Sequence, residues 1–283
     1  MNWRTHKTRQ ALKEALNSGL EIIVFDTETT GLSSDRDRII QISGIKFIVK
    51  DGRLKEVGRL DECINPEREV SPKITEITGF TNEFLSKQPT EREIFPKVYE
   101  FFGENPIIAA YNSNFDIRFI TQMYIRNNKP FKAKIDLDVL KMAKDLIHKD
   151  DVDDYKLGTI ASYLYCDRGL TFHKAIDDTI ATSRLLAVFI EKYKKLEEEE
   201  INKPAPVKRV ATFIDARFWK GYRGYSRVYV NTDLGSVYYD IRNKEWGAKD
   251  CDLETVDMEQ LREDVFTNVG VSCEEELARV MKK

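Results

Sequence analysis

The sequence predicts an α/β layer fold that ends near residue 200 and is followed by a smaller second unit. Three observations predict it. Apolar, β-prone runs open the chain as three strands, and mixed helical and strand patterns follow, the alternation of an α/β layer protein. A charge-rich helical stretch then breaks at Asn202-Lys203-Pro204-Ala205-Pro206, which has the composition of a linker. The 283 residues also exceed the usual ~100–200 of one domain, so the reading is a large domain over 1–200, a linker over 201–206 and a small domain over 207–283.

The elements follow in order. Residues 6–18 carry Ala11, Leu12, Ala15 and Leu16 at helical spacing, with Gly19 as a stop. Glu21–Asp26 reads as a short buried strand. Ile39–Val49 and Val57–Ile64 read as strands, with a hairpin turn at Lys50-Asp51-Gly52. Pro66 and Pro72 mark a loop, and residues 90–102 read as a helix despite Pro96. Ile107–Ala110 is an apolar strand, Asn112-Ser113-Asn114 caps a helix over 115–127, and a fifth strand is expected over Ala133–Leu137. Helices are expected over 138–147, 156–165 and 175–198. The last runs out through Lys192, Lys194, Lys195 and Glu197–Glu200, a charge run that reads as a solvated helix end.

Composition narrows the function classes. Hydrophobic residues make up 41% and charged residues 33%, which points to a soluble globular chain with a sizeable core. A net charge of −3 means that any nucleic-acid contact needs a local basic patch. No apolar run approaches the ~20 residues of a membrane span. Met1–Gln10 is basic but lacks the apolar core of a signal peptide. Cys63, Cys166, Cys251 and Cys273 form no CxxC pair, which suits a reduced cytoplasmic protein and argues against a cysteine zinc site.

The most informative feature is the placement of four acids. In Ile22-Ile23-Val24-Phe25-Asp26-Thr27-Glu28, alternation puts Asp26 and Glu28 on the face of Ile22 and Val24, at the end of a buried strand. Asp116 leads Phe119, Ile120 and Met123, and Asp178 leads Ala181, Leu185 and Val188, both on core-facing helical stripes. A desolvated carboxylate must be protonated, paired or metal-bound. Each acid alone could be a cap or half of an ion pair. Four together, without imidazole or thiolate among them, favour a hard cation, Mg²⁺ or Mn²⁺. Two such ions ~3.5–4 Å apart can activate a water and stabilise the leaving oxygen in phosphodiester cleavage.

His173 stands five residues before Asp178, in a loop that opens the last long helix. Its suggested role is general base, with an unperturbed pKa near 6.5 that suits neutral pH. The alternative is a capping or surface residue, the reading given to His6 and His148.

With these residues in view, Phe25-Asp26-Thr27-Glu28-Thr29-Thr30-Gly31-Leu32 resembles the first motif of the DEDD superfamily of 3′→5′ exonucleases. Ala110-Tyr111-Asn112-Ser113-Asn114-Phe115-Asp116 resembles the second. His173-Lys174-Ala175-Ile176-Asp177-Asp178 resembles the third, in the histidine-bearing branch that includes the proofreading subunit of bacterial replicative DNA polymerase. Ile74–Phe80 and Asp138-Val139-Leu140 are also similar to that family, and the likeness spans roughly residues 20–195. It implies a ribonuclease H-like mixed five-stranded sheet flanked by helices. It also implies Asp26, Glu28, Asp116 and Asp178 as ligands of two Mg²⁺ or Mn²⁺ ions, and His173 as base. Leu32 would wedge against the terminal base, while Thr29, Asn112 and Phe115 would line the nucleotide pocket. Asp177, offset by one, should point elsewhere. Tyr111 departs from the histidine common at that position among relatives.

Asp150, Asp151, Asp153 and Asp154 invite a calcium-loop reading, but the stretch lacks the glycine and distal glutamate of an EF-hand and reads as a solvated loop.

Residues 207–283 match no family motif and read as a small α+β unit. Ser226–Val230 and Val237–Arg242 flank a turn as a β-hairpin, with Val228, Val230, Val237, Tyr239 and Ile241 as its core face. Helices are expected near 257–266 and 273–282. The stretch 207–229 holds six basic residues against one acid, with Phe218, Trp219, Tyr222 and Tyr225 interleaved. Arg217, Lys220, Arg223 and Arg227 are therefore candidate contacts to single-stranded nucleic acid. A small core solubilised by its charges, or a docking role, would account for the same pattern.

The reading is a metal-dependent, cytoplasmic 3′→5′ exonuclease that releases nucleoside 5′-monophosphates from single-stranded or frayed 3′ ends, DNA before RNA. A DNA polymerase or another replication or repair protein is the partner class, and no membrane is involved. The alternatives are an RNA-trimming exonuclease of the same branch and a non-catalytic module for nucleic-acid binding or polymerase docking.

Overall fold

Unbroken burial along Ile22-Ile23-Val24-Phe25 marks a strand covered on both faces. In the computed structural model this strand, β1 (Ile22–Thr29), is the middle of a five-stranded sheet. The residues described are 3–172, 174–202, 209–220, 226–240 and 245–269, and the chain divides into two units, Met1–Ile201 and Asn202–Lys283. In the first unit β1 is joined by β2 (Ile39–Lys50), β3 (Arg53–Cys63), β4 (Ile107–Ala110) and β5 (Ile135–Asp138) in the order β3-β2-β1-β4-β5. The pairs β1/β2 and β2/β3 are antiparallel, whereas β1/β4 and β4/β5 are parallel. Asp51 and Gly52 both have positive φ, 52° and 70°, the backbone that a two-residue hairpin turn between β2 and β3 requires.

Helices cover both faces. On one lie α1 (Trp3–Asn17), α6 (Val139–Leu146), α7 (Leu157–Tyr163) and α8 (Ala175–Asn202), whose Leu12, Met142, Ile160 and Leu185 pack with Ile22 and Val24. On the other lie α4 (Glu91–Phe102) and α5 (Asn114–Arg126), whose Val98, Phe119 and Ile120 pack with Ile23 and Phe25. Adjacent positions of one strand thus feed two separate cores, the consequence of a two-residue period.

Several expectations shift. The loop between Pro66 and residue 90 contains two short helices, α2 (Pro72–Thr78) and α3 (Asn82–Leu85). Ser71 caps α2 by accepting the Ile74 N–H, Pro72 sits in the first turn, and Gly79 closes it in the left-handed region. The strand expected from Val57 begins at Arg53, and the fifth strand lies over Ile135–Asp138. α8 continues through Ile201 and Asn202, so those two residues belong to the helix and not to a linker; residues 203–206 lie outside the described residues. Nor is the acidic run only solvated: Glu197 pairs with Lys13, and Glu200 with Arg9 at 3.0 Å, both on α1.

The second unit is more than a hairpin with helices. β6 (Phe213–Lys220), β7 (Ser226–Thr232), β8 (Gly235–Asp240) and β9 (Glu245–Ala248) form a four-stranded antiparallel sheet in sequence order, and α9 (Met258–Val269) follows. Val228, Val230, Val237 and Tyr239 are buried with Leu261 of α9. Ile241 and the helix expected over 273–282 lie outside the described residues. Among the described residues no helix is long and apolar enough to cross a membrane.

Candidate metal centre

At Asp26 the continuous burial of β1 gives way to alternation. Thr27 and Thr29 are buried, and Asp26 and Glu28 are half-buried. Asp26 and Glu28 lie on the α8 side of the sheet, where they meet Asp178 from the first turn of α8. One carboxylate oxygen from each of the three lies within 4.8 Å of the others. Among the described residues this is the one such grouping of His, Cys, Asp or Glu, so the aspartates at 150–154 form none.

Asp116 comes from α5, on the opposite face, and stands outside that set. It is 2% exposed, and its Oδ1 accepts both the Thr27 N–H (3.0 Å) and the Thr27 hydroxyl (2.7 Å). The cause is strand geometry: Thr27, between two acids that face α8, must face α5. The second and third motifs therefore approach the end of β1 from opposite faces.

Two further features position the acids. Glu28 pairs with Gln41 and Thr29 with Ile39, leaving Ile40 as a bulge residue that bends β2 beside the site. Gln41 then ties α8 to the sheet. Its Oε1 accepts the N–H of Ala175, the first residue of α8, at 3.1 Å, while its Nε2 donates to Asp61 Oδ1 at 2.9 Å. Thr27 and Gln41 were both missed at the sequence level. The available signal was a polar residue inside an apolar strand (Ile39-Ile40-Gln41-Ile42), but nothing local names its partner.

The electrostatics are those of crowded acids. Burial, and then the charges of Asp116, Asp178 and Glu28, hold the Asp26 carboxyl well above the usual carboxylate range. Burial, with Asp178 and Asp116, pushes Glu28 up to about 7. Asp116 is also pushed to about 7 by burial, against the opposing pull of its Thr27 hydrogen bonds. Among the described residues, the charged neighbours that act on Asp26 and Glu28 are carboxylates. Two like charges ~4.8 Å apart repel by about 3.5 kcal/mol at an effective dielectric of 20. Three cannot remain ionised together without protons or a cation. An all-oxygen donor set of this kind fits Mg²⁺ or Mn²⁺.

The remaining sequence-predicted residues fall as follows. Thr29 is buried and donates to the Gly31 carbonyl at 2.6 Å. The turn it starts is tight, since a Cβ on Gly31 would lie 2.5 Å from the Asp37 carboxylate. The turn leaves Leu32 81% exposed beside the acids' strand. Asn112 is exposed with φ 62°, and the Phe115 ring packs against Phe119 in a tilted contact with centroids 4.9 Å apart. Asp177 turns away to accept the Thr171 N–H at 3.1 Å. The Tyr111 hydroxyl donates to the Tyr155 carbonyl at 2.7 Å. His173 lies outside the described residues, as do Arg223 and the side chain of Lys220. In the second unit Arg217 pairs with Asp215 at 3.3 Å, and Arg227 pairs with Asp240 at 3.0 Å while lying over the Tyr238 ring.

A mixed five-stranded sheet, helices on both faces and acids at the end of its central strand define a ribonuclease H-like fold with a carboxylate centre. The chain belongs to the RNase_T family, whose model, described as Exonuclease, matches residues 23–186. It thereby carries an exonuclease domain and is an enzyme, a phosphodiester hydrolase.

Relatives include the DNA polymerase III PolC-type of Clostridium perfringens, 35% identical over 182 residues, 63% of this chain and 12% of that one. The same protein of Caldanaerobacter subterraneus is 32% identical over 190 residues, 67% of this chain and 13% of that one. The chain thus matches about an eighth of the length of these relatives. Among solved structures, Escherichia coli Exonuclease I in complex with a dT13 oligonucleotide matches 93% of this chain and 72% of its own, with TM-score 0.53 and 13% identity. Exonuclease I from Methylocaldum szegediense matches with TM-score 0.50 and 16% identity, over 93% of this chain and 71% of that one. At these identities the likeness is one of fold.

Proposed function

We propose that the chain removes nucleoside 5′-monophosphates from single-stranded or frayed 3′ ends of DNA, in the manner of a proofreading or repair nuclease. The observation that carries this is the meeting of Asp26, Glu28 and Asp178 with oxygens within 4.8 Å, where the charged neighbours of the first two among the described residues are carboxylates. In this reading those three acids, together with Asp116, hold two Mg²⁺ or Mn²⁺ ions. When bound, the ions supply Lewis-acid polarisation of the scissile phosphate and a lowered pKa for the attacking water.

The chain's own residues do the rest. His173, two residues before α8 in the sequence, accepts the proton of the attacking water. Leu32, exposed on the turn after β1, packs against the terminal base, and Thr29, Asn112 and Phe115 shape its pocket. Thr27 and Gln41 are positioning residues, fixing Asp116 and the start of α8. DNA as substrate is supported by relatives that are named as DNA polymerase III. A replication or repair partner and a cytoplasmic setting belong to the same proposal. Arg217, Lys220, Arg223 and Arg227 of the second unit are proposed as contacts to the strand. For Arg217 and Arg227 this would mean loosening their pairs with Asp215 and Asp240.

The test is degradation of matched, 5′-labelled DNA and RNA oligonucleotides with Mg²⁺, with Mn²⁺ and with excess chelator. The expected result is stepwise shortening of DNA from the 3′ end, abolished by the chelator. Shortening of RNA alone would favour the RNA-trimming reading. No shortening of either, or full activity in chelator, would overturn the proposal.

A further inference from the structure

A second charged hollow lies beside the turn that follows the catalytic strand. Arg38, Arg92 and Arg126 line a cavity of about 560 Å³ together with Asn65, Glu67 and Glu91. Its link to the metal centre is covalently short and fixed by hydrogen bonds. The Thr30 N–H donates to the Arg38 carbonyl at 2.9 Å, and the Arg38 N–H donates to Thr30 Oγ1 at 3.1 Å. Thr30 is two residues beyond Glu28.

The charges are not balanced in place. Arg126 is committed to Glu91 through two parallel hydrogen bonds, Nε to Oε1 at 2.7 Å and an Nη2 to Oε2 contact at 2.5 Å, and Asn127 Nδ2 adds a third at 3.4 Å. Glu91 is therefore compensated within the wall. Among the described residues Arg38 has no carboxylate hydrogen-bond partner of this kind: its Nη1 donates to the carbonyls of Arg36 (3.3 Å) and Asp37 (3.0 Å). Burial and the charge of Arg126, with a smaller push from Arg68, hold the Arg38 guanidinium below its ordinary range against the opposing charges of Glu91 and Asp37. Arg92 is exposed at the rim. Against these stands Glu67, which the chain holds at φ 53°, a left-handed backbone that is strained for a glutamate. Half-buried guanidiniums that repel one another gain from a ligand with several acceptor oxygens, and the planar fork of arginine suits a phosphate.

We propose that this hollow is an anion subsite that takes a backbone phosphate of the nucleic-acid strand, away from the bond being cut. The inference rests on the exonuclease reading for the source of the phosphate, and on the arginine geometry alone for the site. The subsite serves substrates long enough to reach it and is irrelevant to a mononucleotide ester. It makes strand length, and not only the terminal residue, a determinant of affinity.

The test compares wild type with Arg92→Ala and Arg92→Glu, since Arg92 is exposed and its truncation removes no core contact. Two substrates are used: a 20-nucleotide single strand and the p-nitrophenyl ester of thymidine 5′-monophosphate. The expected result is a fivefold or greater rise in KM for the 20-mer in Arg92→Ala, more in Arg92→Glu, with kcat/KM for the ester within twofold of wild type. The slope of log affinity against log salt for the 20-mer should fall by about 0.7, the value for one lost phosphate contact on a single strand. Inorganic phosphate should compete with the 20-mer less well in the variants. An unchanged KM and salt slope, or equal losses on both substrates, would overturn the subsite. If wild type cleaves neither substrate, the exonuclease reading fails. The subsite is then still judged by fluorescence anisotropy of the labelled 20-mer, where equal binding by wild type and Arg92→Glu refutes it.

Discussion

Thr27 Oγ1 donates to Asp116 Oδ1 at 2.7 Å, and the Thr27 N–H reaches the same oxygen at 3.0 Å, so one residue of the central strand fixes an acid delivered by the helix on the opposite face. The bond favours the charged form of Asp116 against the desolvation that raises it. Thr27→Val keeps the shape and removes the hydroxyl donor. Hydrogen bonds to charged groups are worth about 1.5–3 kcal/mol, and loss of a partner that orients a metal ligand costs about 10- to 100-fold in affinity or activity. The variant should lose stability in urea unfolding, and its cleavage rate should fall in that range, with Thr27→Ser restoring both. Wild-type values for both would show the bond to be incidental.

Crowded acids make stability depend on pH in a stated direction. Glu28 is raised from 4.5 to about 7 in the folded chain, so between those values the folded state holds a proton that the unfolded state has released. Stability then falls as pH rises through this window, by an upper limit of roughly 3 kcal/mol from Glu28 alone. Asp26, raised mainly by burial and then by Asp116, Asp178 and Glu28, acts in the same sense. In chelator the melting temperature should be higher at pH 5.5 than at pH 8, and Asp26→Asn should raise it at pH 8 while lowering cleavage by more than about 100-fold. A wild-type melting temperature that rises from pH 5.5 to pH 8 in chelator contradicts the repulsion.

How much of this was legible follows from where each signal resides. Asp26 and Glu28 could be placed because a two-residue period is readable along one strand, and their shared face with Ile22 and Val24 is the one observed. That Asp116 belongs to the opposite layer was not readable, since which face a helix covers is a property of the crossover and not of its own stripe. The short helices at Pro72–Thr78 and Asn82–Leu85 bury little, so they leave no periodic stripe, although Ser71, Pro72 and Gly79 are cap residues of the expected type. β9 (Glu245–Ala248) has four residues, one of them glycine, too few to establish alternation. β6 was hidden by its arginine and aromatic content, which drew attention to binding chemistry rather than to Ala216 packing against the core.

Leu32 is 81% exposed on the turn after the acids, where an apolar side chain gains nothing from the fold. Leu32→Ala should change stability by less than about 0.5 kcal/mol. Burying a leucine side chain is worth about 1.5–3 kcal/mol, so KM for an oligonucleotide should rise tenfold or more if Leu32 meets the terminal base. A change in KM below twofold would remove Leu32 from the pocket.

α1 is held by burial more than by charge. Leu12 and Ala15 are buried against α8 and β5, whereas Lys13–Glu197 is an exposed pair. Leu12→Ala should cost about 2–5 kcal/mol, and Lys13→Ala no more than about 1 kcal/mol, read from denaturant midpoints. Equal losses would mean that the ion pairs carry the attachment.

The central claim is that Asp26, Glu28 and Asp178, with Asp116 beside them, are a divalent-cation centre. Anomalous diffraction from a crystal soaked in Mn²⁺ tests it most directly. Two manganese peaks are expected among these four carboxylates, both lost in Asp26→Asn. A crystal at saturating Mn²⁺ with no anomalous density at the acids, or with these carboxylates bonded to lysine or arginine instead, would contradict it.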